Sequence, residues 1–327
     1  FGRENSVAYE ARSSGWSEFG RGGVVKKVMT VRGAISPDEL GHTQMHDHLF
    51  ADLSWARHRW LAMPITDEVQ ITEEIRLYGQ AGGGTLVDPT LEHIGRLPEA
   101  MRRVSEATGV HVVMGSGFYR EPYYPEFVNK LPTQDLADYI VDEIENGVGD
   151  TGIKPGIIGE IGIDKRWVQG VEERVLRAAA RAQVATGLAI TTHTPTYMSL
   201  EFLKIFQEEG VEPDRVVFGH LDGALEMHEL ERVAATGAYI EFDLIGIDFI
   251  NSDERRAEFL AELVRLGHQD RLLVAQDMPA RPRFKTNGGH GYQHLIDNFL
   301  PMLREEGVDE EAIHAMTHLN PARVLAV

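Results

Sequence analysis

The decapeptide GHTQMHDHLF, starting at Gly41, places His46 and His48 two residues apart around an aspartate. On a β-strand, alternate residues share a face, so two imidazoles at this spacing converge, as the start of a metal site requires. Pairs of this kind also occur as surface accidents, and the other ligands must come from distant segments. Four further candidates stand at or near the ends of short apolar runs: Glu160 in GIIGEIG, His193 in AITTHT, His220 in VVFGHL and Asp277 in LLVAQD. A buried polar group in such a run is costly unless something pairs with it. Each of these histidines alone reads as a hydrogen-bonded core residue; the set does not. Four histidines and two carboxylates exceed the three protein ligands of a typical catalytic zinc. They suit two divalent ions about 3.5–4 Å apart, bridged by a carboxylate and by a hydroxide that attacks the substrate. Asp277 is then placed to take the attacking proton and pass it on, as base and then acid.

The elements that must position these residues follow a regular punctuation. β-rich runs begin at Gly41, Thr85, His111, Gly156, Ala189, Val216, Gly237 and Leu272. Most are continuously apolar, which fits parallel strands covered on both faces. Between them lie helical stretches that stop on glycine, such as EERVLRAAARAQVATG ending at Gly187 and SLEFLKIFQEEG ending at Gly210. Eight strands with intervening helices predict an α/β fold, a single-domain (β/α)₈ TIM barrel with its site at the C-terminal strand ends. No G-x-G-x-x-G fingerprint follows a strand, which speaks against a nucleotide-binding open sheet. Residues 1–23, rich in Gly, Ser and charge, read as a flexible N-terminal arm, and residues 24–327 as the barrel.

Composition narrows the partners. The chain has 327 residues, a formal net charge of −19 and no cysteine. The charge argues against nucleic acid and anionic membranes, because phosphate binding needs a basic surface. Without cysteine there are no disulfides and no thiolate ligands, so a metal must be held by nitrogen and oxygen. No apolar run is long enough to span a bilayer and no signal-peptide core is visible. A cytoplasmic enzyme acting on a small-molecule substrate is the expectation.

The same residues resemble the amidohydrolase superfamily, and more closely its phosphotriesterase family. LGHTQMHDHLF, PGIIGEIGID, TTHT, FGHLD and the C-terminal segment from NGGHGYQH carry the likeness, which runs from about Val31 to Leu325. GFYREPYYP and GGHGY are most similar to bacterial phosphotriesterase homology proteins. The resemblance implies that His46, His48 and Asp277 hold the more buried ion and that His193 and His220 hold the more exposed one. Glu160 would bridge them, where founding members carry a carbamylated lysine. Zinc is the default, with manganese, cobalt or iron as alternatives, and a homodimer is implied. Leu244 stands where efficient phosphotriesterases have a histidine and homoserine lactonases an arginine, so phosphotriester turnover should be weak or absent. The implied activity is hydrolysis of an ester, lactone or related acyl bond. Two rivals are a mononuclear, deaminase-like amidohydrolase and a non-catalytic small-molecule binding protein.

Tyr119, after the third strand, is a candidate donor to a substrate carbonyl. Arg281 and Arg283, a basic cluster in an acidic chain, are candidate anion contacts above the mouth. Asp243 is placed to orient the site or the substrate, and Asp222 to fix a loop. His42 shares the alternation of His46 and His48 and is expected deeper inside the barrel. The other histidines, His58 and His93 among them, read mostly as surface residues.

Overall fold

The computed structural model of the protein describes residues 26–54, 63–194 and 197–327, so the expected N-terminal arm and His58 lie outside it. A hairpin of β1 (Val28–Thr30) and β2 (Gly33–Ile35) comes first. Eight parallel strands follow in a single sheet whose spatial order is the chain order. They are β3 (His42–Gln44), β4 (Gly83–Asp88), β5 (His111–Ser116), β6 (Ile157–Gly162), β7 (Ile190–His193), β8 (Val216–Gly219), β9 (Tyr239–Phe242) and β10 (Leu272–Val274). The sheet curls into a nearly closed barrel, and one backbone bond, from Asp277 N–H to His46 O at 3.0 Å, ties its two ends together. This is the (β/α)₈ architecture that the strand and helix punctuation predicts.

Helices α1 (Glu68–Gln80), α2 (Pro98–Thr108), α3 (Thr133–Asn146), α4 (Gly170–Thr186), α5 (Ser199–Glu208), α6 (Met227–Ala234) and α7 (Asp253–Arg265) cover the outside. Their ends follow local chemistry. The Glu172 carboxylate accepts the Gln169 N–H at 3.0 Å at the start of α4. Gly187, with φ 78°, ends it in the left-handed conformation that a side chain resists. Among the described residues no helix is long and apolar enough to cross a membrane.

The barrel interior is filled by Met45, Val87, Val113, Ile157, Val217 and Leu273, packed with Val28 and Leu325 from the chain ends. A second apolar layer joins strand to helix, for example Ile158, Ile190, Phe218 and Phe242 against Leu176, Ala179 and Leu260. Strand ends on the opposite side are therefore free to carry polar groups.

Two strand-based expectations fail at one place. β3 stops at Gln44, and the chain bends at Met45 and His46. His46 and His48 thus lie past the strand, and simple alternation does not govern them. His42 consequently faces outward: its Nδ1 is 3.2 Å from the Tyr78 hydroxyl and its ring meets His318 edge-on at 5.9 Å. Burial and the neighbouring His318 push His42 down to about 4. The sign of the linkage is set by that depression. Below about pH 6.5 the unfolded chain takes up a proton that folded His42 refuses, so stability falls from there to about pH 4. The full penalty is roughly 3 kcal/mol. Urea unfolding of His42→Asn against wild type should show a shallower decline across that window, and parallel curves would refute the assignment.

Candidate metal centre

Six side chains meet at the C-terminal mouth of the barrel, as the strand-end reading predicts. Glu160 is central. Its Oε2 lies 3.5 Å from His46 Nε2, 3.0 Å from His193 Nδ1 and 3.2 Å from His220 Nε2, while Oε1 lies 3.9 Å from His48 Nε2. Asp277 Oδ1 is 3.1 Å from His48 Nε2 and 3.9 Å from His46 Nε2. Two triads result, His46–His48–Asp277 and Glu160–His193–His220, each with ligand atoms within 4.8 Å of one another.

The backbone is bent to aim these groups. His220 has φ 62° and Asp277 φ 41°. A non-glycine residue in that region costs of order 1–3 kcal/mol and persists only where its surroundings hold it. Space is cleared by small residues: a Cβ at Gly162 would come within 2.6 Å of His193 Cβ, and one at Gly219 within 2.8 Å of Asp243 Oδ2.

A ring of acceptors fixes which imidazole nitrogen points inward. Asp243, fully buried, takes His46 Nδ1 and His220 Nδ1 at 2.9 Å each, and the His220 N–H at 2.8 Å. A third cluster, His46–His220–Asp243, also satisfies the spacing for a metal. It needs those same Nδ1 atoms, however, so Asp243 acts as the orienting partner that metal-binding histidines normally have. It does so for one histidine of each triad. Thr90 Oγ1 holds His48 Nδ1 at 2.6 Å. Asp222 accepts the N–H groups of Asp243 at 3.3 Å and Leu244 at 3.1 Å and the Arg256 Nε at 2.7 Å, which is the loop-fixing role expected of it.

The residues fit a divalent cation. His46 Nε2 is buried, faces the centre and has no hydrogen-bond partner, the condition of a donor waiting for a ligand. Burial and His220 push His193 down to about 4, leaving that ring neutral with a lone pair to give. Burial opposes charge on His48, but the hydrogen bond to Asp277 lifts it to about 9, so a proton shared by that pair must leave when a cation enters. The donor set of nitrogen and carboxylate oxygen suits zinc, manganese, cobalt or iron.

A cavity of about 420 Å³ opens above the centre. His48, Glu160, His193, His220 and Asp277 form its floor, and Leu53, Ile163, Leu244, Ile247 and Ile250 its apolar wall. Tyr119 also lines it, with its hydroxyl 3.2 Å from His193 Nδ1. Burial raises the Tyr119 phenol well above its usual range, so it stays a donor. His93 is not a surface residue: its Nε2 accepts the Tyr119 N–H at 3.1 Å.

The basic cluster is a correction. Neither Arg281 nor Arg283 lines the cavity. Arg283 donates to the carbonyls of Gln276, Asp277 and Ile245 at 2.8, 2.6 and 2.8 Å, bracing the ends of β9 and β10 from behind. Arg281 reaches Gln70 at 3.2 Å. Backbone carbonyls beyond two adjacent strands occupy the Arg283 guanidinium, and a side-chain amide engages that of Arg281. The cation that does face the cavity, Arg120, went unnoticed in the sequence; its position next to Tyr119 was the available signal.

The chain is similar to known proteins over most of its length. The sequence model of the Phosphotriesterase family matches residues 26–325. An N-acetyltaurine hydrolase from Danio rerio is 32% identical over 91% of this chain and 97% of its own length. The crystal structure of a phosphotriesterase homology protein from Escherichia coli, complexed with phosphate in its active site, superposes with a TM-score of 0.85 at 34% identity, covering 88% of this chain and 99% of that one. A lactonase from Listeria monocytogenes superposes with a TM-score of 0.86 at 27% identity, covering 91% of this chain and 98% of that one.

Proposed function

The chain belongs to the phosphotriesterase family of hydrolases, and from that premise we propose that it cleaves a carboxylic acyl bond, an N-acyl amide first and an ester or lactone second, with divalent metal ions. The observation that carries this reading is Glu160, within 3.5 Å of three imidazoles from three different segments: it belongs to one ligand triad and touches His46 of the other. The amide is put first because the similar N-acetyltaurine hydrolase takes an amide by name. The lactonase neighbour keeps the cyclic ester in play.

In our reading His46, His48 and Asp277 would hold one cation and His193 and His220 the other, with Glu160 within reach of both groups. When bound, the cations supply Lewis acidity to the scissile carbonyl and lower the pKa of water. The protein's own groups do the rest. Asp277 accepts the proton from the attacking water on a carboxylate oxygen and delivers it to the leaving nitrogen or oxygen. Tyr119, kept protonated, donates to the developing oxyanion. The apolar wall excludes water beyond the one that attacks. Leu244 offers no second proton acceptor behind Asp277, which fits a slow phosphotriesterase.

A screen of metal-reconstituted protein tests the proposal. N-acetyl amides, γ- and δ-lactones and aryl esters should include at least one substrate turned over above background, with a paraoxon-type triester far behind. A metal-loaded protein that binds these compounds and hydrolyses none would sink the enzymatic reading.

A further inference from the structure

We propose that Arg120 determines specificity by selecting a substrate whose leaving group ends in an oxyanion, a carboxylate or a sulfonate. This rests on reading the site as an acyl hydrolase. Among the described residues, Arg120 is the one lysine or arginine that lines the cavity. Its chain carries a net charge of −19, so an anionic substrate meets general repulsion and needs a local cation to dock.

The guanidinium is held ready. Its carbon lies 5.0 Å from the Tyr119 ring centroid and 5.4 Å from that of Tyr123. Such stacking fixes the plane of the fork and reduces the entropy lost on binding. Nη1 donates to Asp164 Oδ1 at 2.5 Å and to the Glu121 carbonyl at 3.4 Å, and the buried Nε has no hydrogen-bond partner. An arginine has five N–H donors, so the single carboxylate of Asp164 does not use up the fork. Asp164 also lines the cavity and is about a third exposed, at 34%. It behaves as a placeholder that a substrate oxyanion can share or displace.

Position supplies the substrate geometry. Tyr119 touches Arg120 with its ring and His193 with its hydroxyl, at 3.2 Å. One phenol ring therefore separates the arginine from the metal centre. A scissile carbonyl at the centre puts a group roughly three or four bonds further on beside the guanidinium. Carboxylate and sulfonate present the same pair of acceptor oxygens to the fork.

The alternative is that Arg120 and Asp164 only brace two loops against each other, and the test separates the two. Titration calorimetry and kcat/KM are measured with 2-acetamidoethanesulfonate, 3-acetamidopropanoate and the uncharged N-(2-hydroxyethyl)acetamide. The proteins are wild type, Arg120→Gln and Asp164→Asn, with melting temperature as the check on folding. Arg120→Gln should lose roughly 10- to 100-fold in affinity and in kcat/KM for both anions, the size of a lost charged hydrogen bond, and change little for the neutral compound. Asp164→Asn should bind the anions several-fold more tightly, and this arm stands even if the arginine variant fails to fold. The ranking of the two anions tells a sulfonate site from a carboxylate site. Equal losses on charged and neutral compounds, or weaker anion binding in Asp164→Asn, overturn the inference. Arginine-dependent anion binding without turnover would instead leave Arg120 in place and remove the hydrolase reading. Turnover without charge preference does the reverse.

Discussion

Asp277→Asn should lower kcat at least ~100-fold, the lower range for a lost acid–base group, with the melting temperature little changed. The side chain is 15% exposed and faces the cavity. Burial would raise its carboxyl, but the hydrogen bond to His48 and the charges of His46 and His220 hold it below the usual range. It is therefore ionised at neutral pH and ready to accept a proton. Asparagine keeps the volume and one oxygen that can still face a cation, yet takes no proton. Steady-state rates across pH 5–9 check this: the wild-type carboxylate stays ionised over that whole window, so the loss in the variant should be of similar size at every pH. Rates within a few-fold of wild type would remove Asp277 from the proton path.

Glu160→Gln should cost as much in rate, ~100-fold or more, and in addition weaken metal retention. Burial disfavours the Glu160 charge, but the surrounding His46 and His193 imidazoles hold its carboxyl well below the ordinary range. The amide removes the negative charge that both triads share and turns an N–H₂ toward lone pairs that should accept a cation. Competition with a chelator, followed by elemental analysis, measures the loss. Unchanged affinity and rate would mean that Glu160 fills space and bridges nothing.

Four of the six central residues, Glu160, His193, His220 and Asp277, were readable because each stands where an apolar run gives way to a polar side chain, and barrel topology sends such ends to one mouth; His46 and His48 were readable as a closely spaced pair. The carboxylate and histidines of β6, β7 and β8 needed nothing else. Less was readable where local geometry departs from the average strand. The bend at Met45 and His46 reverses the expected direction of His42, and no alternation rule announces it. Arg283 looks like an anion site by charge, but its acceptors are carbonyls set by the close packing of β9 on β10. Arg120 and Asp164 are 44 positions apart, and only the folded barrel makes them neighbours on one cavity wall. Asp243 was legible as an orienting group; that it serves two histidines depends on the space left by Gly219.

The whole account rests on segments far apart in sequence sharing a pair of cations through Glu160. Anomalous diffraction at the metal edge, from crystals of protein loaded with zinc or manganese, tests this most directly. We expect two peaks about 3.5–4 Å apart on either side of the Glu160 carboxylate, one beside His46, His48 and Asp277 and the other beside His193 and His220. A single peak, or peaks remote from Glu160, would contradict it.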